Sequence, residues 1–337
     1  MTSLRVYIIT RALLTVPMIF ILLTLVFVIM RILPGNPVLA IVGMKATPEL
    51  IESLEKQLGL DKPWWVQYID YISNLLRGDL GRSMIWGRRP VIAEIMDRFP
   101  ATVELTIGGF IVSVILGLVT GVIAGVKPGG KIDATMRIYS IVVYTLFIPL
   151  IGMILQYIFG VQLKLFPVGG RIDPLVTPEH ITGLYVLDAI LTLNFPALIS
   201  ALKHLVLPSF TLGLVLSGVY TRLVRSSLIE VLSQDFIRAC RSRGLSERVI
   251  LYKHALKNAL VPILTMMGLQ FALLLAGAVL TETTFSWPGM GTFLMERIAY
   301  RDFTTVQGTI VFYAVFVALI SLVVDVVYAY VDPRIRY

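Results

Sequence analysis

Six stretches of this chain carry no charged residue over about the thickness of a lipid bilayer. They are Ala12–Met30, Leu105–Val126, Ile138–Leu163, Leu205–Thr221, Ala259–Thr281 and Thr304–Val324. A membrane span needs about 20 apolar residues in helical form, because lipid offers no partner to an open backbone N–H or C=O. The run Leu205–Thr221 has only 17 residues, but a helix there can extend past Arg222, whose long side chain snorkels to the interface. The pattern predicts an all-α polytopic membrane protein with six transmembrane helices. The 14-residue stretch Ala189–Leu202 holds Asn194 and Pro196, so it is expected to be interfacial or re-entrant rather than a seventh span. Composition agrees: 15% of the residues are charged, against about 25% in soluble domains.

The first run is a span and not a removable signal. Its 19 uncharged residues exceed a signal core, and the chain continues RILPGNP without a small-residue cleavage pattern. With six spans, one side of the membrane collects the N-terminus, the loops 127–137 and 222–257 and the tail. That side holds 15 Lys and Arg against five acids. It is expected to be cytoplasmic, with both termini there, in a cell membrane. The net charge of +8 therefore reflects orientation and contact with the lipid bilayer, and no nucleic acid partner is expected. Cys240 is the only cysteine, which excludes an internal disulfide. His180, His204 and His254 lack ligand spacing, so no metal site is expected. No GxxxxGK[ST] phosphate loop occurs, so no ATP and no cofactor is expected in this chain, nor enzymatic activity of its own.

The loops facing the other way are uneven in character. In Leu33–Ala101, Thr47 can cap a helix with Pro48 at its first position and Leu50, Ile51, Leu54 and Leu58 on one face, ended by Gly59. Trp64, Trp65, Tyr68, Ile69, Ile72, Leu75 and Leu76 form a second amphipathic stretch, suited to the membrane surface or to packing over span ends. Lys164–His204 reads as irregular. Glu282–Phe303 reads as a tight turn at Pro288, Gly289 and Gly291. Glu104 and Asp325, at the ends of spans, are expected to pair with neighbouring loop arginines rather than to relay protons.

The most distinctive polar stretch is SSLIEVLSQDFIRACRSRGLSERVILYKHALKNALVP, Ser226–Pro262. With Arg222 and Arg225 it carries eight basic residues. Ser233 can cap a helix with Asp235 in its first turn, favourable to the helix dipole. Leu228, Val231, Leu232, Phe236 and Ala239 fall on one side, with Arg238, Arg241 and Arg243 away from it. Gly244 stops that helix and Ser246 caps the next. So many cations on a helix–glycine–helix unit point to a protein partner rather than to lipid anchoring alone.

QDFIRACRSRGLSERVILYKHALKNALVP resembles the cytoplasmic coupling loop of permease subunits of ATP-binding-cassette importers, above all the dipeptide/oligopeptide/nickel group. LPGNPV, LGLDKPWWVQY, GDLG, TETTFSWPGMG, RDFTTVQG and the terminal DPRIRY are similar to that group's first permease subunit. Where the general coupling signature begins E-A-A, this chain has Arg238-Ala239-Cys240, while Gly244 is kept. The resemblance implies a type I importer permease fold. Residues 1–32 would form the first span, 33–101 an extracytoplasmic helical cap, 102–330 the permease core with coupling loop 226–258, and 331–337 a cytoplasmic tail. It implies as partners a second homologous permease subunit, two ATP-binding subunits and an extracellular solute-binding protein. Asp235, Phe236, Arg238, Ala239, Arg241 and Gly244 would engage the ATPase, with His254 and Asn258 supporting the loop. The cargo would be di- or oligopeptides, or a related solute such as oligosaccharide, glutathione or nickel. An ion-driven secondary transporter is the alternative, and it should show internal repeats and midplane ionisable groups; neither is evident in the sequence.

Overall fold

The structure is a computed structural model that describes residues 4–32, 49, 52, 56, 59, 61–85, 87 and 89–331. The helix expected after Thr47 lies largely outside the described residues. Twelve α-helices organise the rest: α1 Leu4–Ile32, α2 Trp64–Leu76, α3 Val91–Val126, α4 Lys131–Thr145, α5 Ile148–Leu155, α6 Tyr185–Leu191, α7 Phe195–Leu232, α8 Asp235–Ser242, α9 Leu256–Gly277, α10 Val279–Thr284, α11 Met290–Ala299 and α12 Phe303–Val331.

Four of these, α1, α3, α7 and α12, are individually long and apolar enough to cross a membrane, and α4 with the helix from Ile148 to Gln162 reaches that length and apolarity only as a pair, bent by 100° at its break. The fifth apolar run, Ala259–Thr281, forms α9 and the first turn of α10; the 22 residues of α9 reach about 33 Å at 1.5 Å per residue. The bend in the third run follows from local backbone preference. Leu146 and Phe147 are both extended, with ψ of 138° and 116°, and Pro149 follows in the first turn of the new helix, where its missing N–H is harmless.

Ala189–Leu202 is neither re-entrant nor a seventh span. Ala189 to Leu191 close α6, and from Phe195 onward the chain is the start of α7. Asn194 caps that start, its side chain accepting from Ala197 N at 3.1 Å, and Pro196 sits in the first turn, where it suits a helix. The same element absorbs the short 205–221 run, so α7 is 38 residues long, about 57 Å, and projects beyond the hydrocarbon. The loop Lys164–His204 is thus largely helical at its end. Likewise the outer loop expected to reach Ala101 stops at Pro90, because Val91 and Ile95 are buried against Met290 and Phe293.

The core is built on one pair of helices. On α3, Gly109, Ser113, Gly117, Gly121 and Gly125 recur every four residues and are all buried. A Cβ at Gly117 would lie 2.2 Å from Tyr220 Cβ, at Gly121 2.5 Å from Val224 Cβ, and at Gly125 3.0 Å from Leu228 Cδ2. A groove of small residues on α3 therefore receives a ridge of large ones on α7, the close packing that membrane helices use when no water drives them together. The register increases in step on both, so α3 and α7 run parallel. Thr120 and Thr221 share a hydrogen bond of 2.7 Å across the pair. The opposite face of α3 presents Ile107, Ile111, Ile115, Val119 and Ile123, all exposed, as a lipid-facing stripe requires.

Several charges of this scaffold are paired. Arg171 donates to Glu104 Oε2 at 2.8 Å and to Gly183 O at 2.7 Å, closing the second outer loop over α3. Arg11 Nη1 lies 3.4 Å from Asp325 Oδ2. α2 packs on α1 through Thr24 Oγ1 and Tyr68 Oη, 2.6 Å apart, and through Phe27 against Tyr68 and Tyr71. Trp64, Trp65 and Leu76 remain exposed.

Candidate coupling site

The helix–glycine–helix unit forms at the end of α7 remote from its Asn194 cap. α7 runs through Leu232 and α8 begins at Asp235. Ser233 does not cap α8: its hydroxyl donates back to Glu230 O at 2.7 Å and it closes α7 instead. Gln234 precedes α8 with no side-chain cap, and Asp235 supplies the acid in the first turn that the helix dipole favours. Gly244 has φ of +75°, a left-handed conformation that glycine adopts without penalty. Its N–H donates to Arg241 O at 2.9 Å and that of Leu245 to Cys240 O at 3.3 Å. Ser246 leads into a helical turn Glu247–Val249 without a side-chain cap bond, then a π-helical turn Ile250–Ala255 that runs on into α9.

The apolar face of α8 differs from the one expected. Phe236 is 37% exposed and Ala239 is exposed, while Ile237 is fully buried. A two-residue break at Ser233 and Gln234 resets the helical phase, so the α7 periodicity cannot be carried into α8. Ile237 plugs into Leu228, Val231, Ile250, Ala255 and Ala259. One side chain thus holds α8 against the end of α7 and the start of α9.

The six residues expected to form the coupling element share a different property. Asp235, Phe236, Arg238, Ala239, Arg241 and Gly244 are all exposed. Two of the arginines are engaged locally. Arg238 Nη1 reaches Asp235 Oδ1 at 3.3 Å. Arg241 reaches across the glycine turn to Glu247, Nε to Oε1 at 2.8 Å and Nη2 to Oε2 at 3.3 Å. The hydrogen bond from Arg241 lowers the Glu247 carboxyl below its ordinary value. Both partners face water, so this staple orients the turn more than it stabilises it. Asn258 Nδ2 donates to His254 O at 2.8 Å, so those two residues meet along one helix edge behind α8. Among the described residues no group of three or more His, Cys, Asp or Glu side chains is placed to hold a metal ion.

At the other end, two of the sequence's conspicuous motifs have structural duties. Glu282, read from the sequence as a loop residue, is fully buried. Its carboxylate accepts from Thr102 Oγ1 at 2.6 Å, Gly291 N at 2.6 Å and Thr292 N at 3.1 Å. Trp287 Nε1 donates to Ala101 O at 2.8 Å. The expected turn at Pro288 and Gly289 is present, but α11 follows it at once. Asp302 caps α12, accepting from Thr305 Oγ1 at 2.8 Å and Ser83 Oγ at 2.5 Å.

A bundle of long apolar helices with one exposed basic helix held at its end defines a multi-pass membrane protein of the transport-permease class. The chain belongs to the family of binding-protein-dependent transport system inner membrane components, whose model matches residues 117–337, with the family's N-terminal component matching residues 4–106. It is 40% identical to the dipeptide transport system permease protein of Alkalihalophilus pseudofirmus, over 98% of this chain and 99% of that one. It is 41% identical to the di/tripeptide transport system permease protein of Pseudomonas aeruginosa, over 96% of each. The glutathione transport system permease protein of Escherichia coli is 38% identical, over 98% of this chain and 99% of that one. Among solved structures, the MetNI methionine ABC transporter in inward-facing conformations has a chain that superposes with a TM-score of 0.52 at 16% identity, covering 69% of this chain and 93% of that one. That likeness concerns the fold, which is that of a type I importer permease.

Proposed function

We propose that this subunit forms one half of a pathway for di- and oligopeptides and receives its driving force through α8. The second half is a homologous permease subunit, two separate ATP-binding subunits sit beneath, and an extracellular solute-binding protein supplies cargo at the opposite mouth. The α8 end faces the cytoplasm, as do both termini, in keeping with the basic excess on that side. This chain holds no ATP, has no catalytic role of its own and acts as the lever. The observation that carries the reading is the split between Ile237, fully buried, and the exposed row around it. A helix docked on its own protein by one apolar plug, with its polar face outward, transmits a push from a partner to α7 and α9 together. The peptide cargo rests on the names of the dipeptide and di/tripeptide relatives; the glutathione relative extends the class to other small peptides.

The test is cross-linking in the assembled transporter. In a background with Cys240→Ser, Phe236→Cys is expected to form a disulfide with a cysteine in the groove of the ATP-binding subunit, and uptake of a labelled dipeptide should require ATP. Uptake driven by an ion gradient without ATP would support the secondary-transporter reading instead.

A further inference from the structure

The third apolar run, Ile138–Leu163, carries no charge, yet its helix breaks part-way. α4 ends at Thr145, and Leu146 and Phe147 are extended before α5 begins. The break lies eight residues into the run, about 12 Å of helix, which is hydrocarbon depth. Its height on α7 agrees. A Cβ at Gly218 would lie 3.0 Å from Val143 Cγ2 and 3.3 Å from Tyr144 Cβ, and Gly218 belongs to the uncharged run Leu205–Thr221.

The backbone is open at this break. Leu146 N–H still reaches Val142 O at 3.2 Å, and Phe147 O accepts from Leu150 N and Ile151 N at 3.0 and 3.2 Å. Between them, the carbonyls of Tyr144, Thr145 and Leu146 and the N–H of Phe147 meet no partner among the described residues. Pro149 accounts for one of these, having no N–H to offer Thr145 O. All four residues are exposed. Lipid has no hydrogen bond to give, so open backbone at this depth is tolerated only against protein or water. A second observation falls on the same face. The Arg222 guanidinium lies over the Tyr144 ring, 5.2 Å from its centre, and Tyr144 packs beside Gly218, one turn inside the uncharged run. Arg222 is exposed and takes no part in the ion pairs of the described residues. Its length would let it lead away to the interface; instead it is held beside the break. A charged side chain within a span faces the bundle interior or a water-filled cavity.

We propose that the face formed by the Leu146–Phe147 break and Arg222 lines the water-filled path and is a binding station for short peptides. The peptide carboxylate goes to the Arg222 guanidinium, and its ammonium and amide N–H groups go to the open carbonyls of the break. Main-chain groups recognise a peptide whatever its side chains, and the exposed Phe147 ring gives a side chain an apolar wall. The inference rests on the peptide-permease reading and adds to it the part of this chain that touches cargo at membrane depth.

The experiment uses the assembled transporter carrying Cys240→Ser, in nanodiscs without nucleotide, and a positively charged methanethiosulfonate reagent. Thr145→Cys and Phe147→Cys are expected to react roughly tenfold or more faster than Ile115→Cys on the lipid-facing stripe of α3, because the reagent travels in water. Alanyl-phenylalanine should protect both cysteines at roughly tenfold lower concentration than its C-terminal amide, the effect of about one charge-assisted contact. Arg222→Gln should erase that difference and Arg222→Lys should keep it. Reaction no faster than at Ile115→Cys would mean that lipid or the second permease subunit covers the break, and it overturns the proposal. Equal protection by acid and amide overturns it too. So does protection that follows the phosphatidylglycerol content of the nanodisc and not the peptide carboxylate, which gives Arg222 to lipid phosphate. Labelling is read without cargo or ATP, so a wild-type transporter that takes up no peptide is a separate result, and that result removes the peptide-permease reading itself.

Discussion

Asp133 and Arg225, 92 residues apart in sequence, form a two-pronged ion pair at the α8 end of the bundle. The carboxylate receives Nε and Nη2 of the guanidinium, the latter at 2.9 Å, and accepts the Gly129 N–H at 2.9 Å as well. Asp133 is 1% exposed. This places the turn between α3 and α4 in register with the part of α7 that leads into α8. Any displacement of α8 that moves α7 must therefore move α4 with it.

Arg225→Lys keeps the charge and loses the fork, and it is expected to destabilise the purified complex by about 2–3 kcal/mol. That lies below the figure for a wholly buried pair, because Arg225 is partly exposed. Asp133→Asn should cost a similar amount. Thermal unfolding of both singles and the double variant gives the check. Strictly additive losses would mean that the two groups do not act on each other.

Ile237 and Phe236 are neighbours with opposite fates, and their variants should separate anchoring from docking. Ile237→Ala empties a fully buried site and is expected to cost about 2–4 kcal/mol, with release of the ATP-binding subunits as a consequence. Phe236→Ala removes an exposed ring, so melting should stay within about 0.5 kcal/mol of wild type. Co-purification of the ATP-binding subunits should nevertheless fall. Unaltered co-purification in Phe236→Ala would place the contact surface elsewhere.

These results bear on what could be read from the residues. The spans were legible because lipid punishes charge, so uncharged runs mark them directly. The 100° bend at Leu146 and the merger at Asn194 were not, because each depends on one or two backbone angles inside an otherwise uniform run. The loop Ser226–Pro262 was legible as helix, glycine and helix from Asp235 and Gly244. Its buried face was not, since the break at Ser233 shifts the phase and puts Ile237 inward where Phe236 was expected. The Gly109–Gly125 stripe was available at its spacing of four, and small residues at that spacing are a packing signal in their own right. Glu282 carried no such signal. An acid one residue beyond an apolar run looks like any loop acid until Thr102 and Gly291 are seen around it.

Thr102 does two things in that network. It donates to Glu282 Oε1 at 2.6 Å and accepts from Met290 N at 2.8 Å. Thr102→Val keeps the shape and strands both a buried carboxylate oxygen and a buried N–H, so a loss of about 1–3 kcal/mol is expected. Thr102→Ser retains the hydroxyl and should recover most of it. Equal melting temperatures for Val and Ser would show that the hydroxyl carries no weight.

Gly121 tests the groove between α3 and α7. An added methyl would meet Val224 Cβ at 2.5 Å and Thr221 O, a backbone atom, at 2.9 Å. Overpacking of this kind typically costs about 1–3 kcal/mol. Gly121→Ala should lower the melting temperature, and Gly121→Leu should prevent accumulation of the complex in the membrane. Ile123→Ala, on the exposed face of the same helix, is the matched control and should accumulate normally.

Gly244 offers the sharpest separation of folding from coupling. Its φ of +75° disfavours any side chain, yet a Cβ there would find nothing within 4 Å. Substitution therefore brings backbone strain without a clash. Alanine should cost about 1–2 kcal/mol, and valine more because branching at Cβ crowds the left-handed conformation further. The strain is local to the turn that the Arg241–Glu247 staple spans, where Gly244 is exposed. Gly244→Val is thus expected to insert and assemble, to hydrolyse ATP, and to transport little peptide per ATP consumed. The quantity to measure is that ratio in proteoliposomes, alongside the amount of assembled complex. Normal uptake per ATP in a fully assembled Gly244→Val transporter would remove α8 and its glycine turn from the path of coupling.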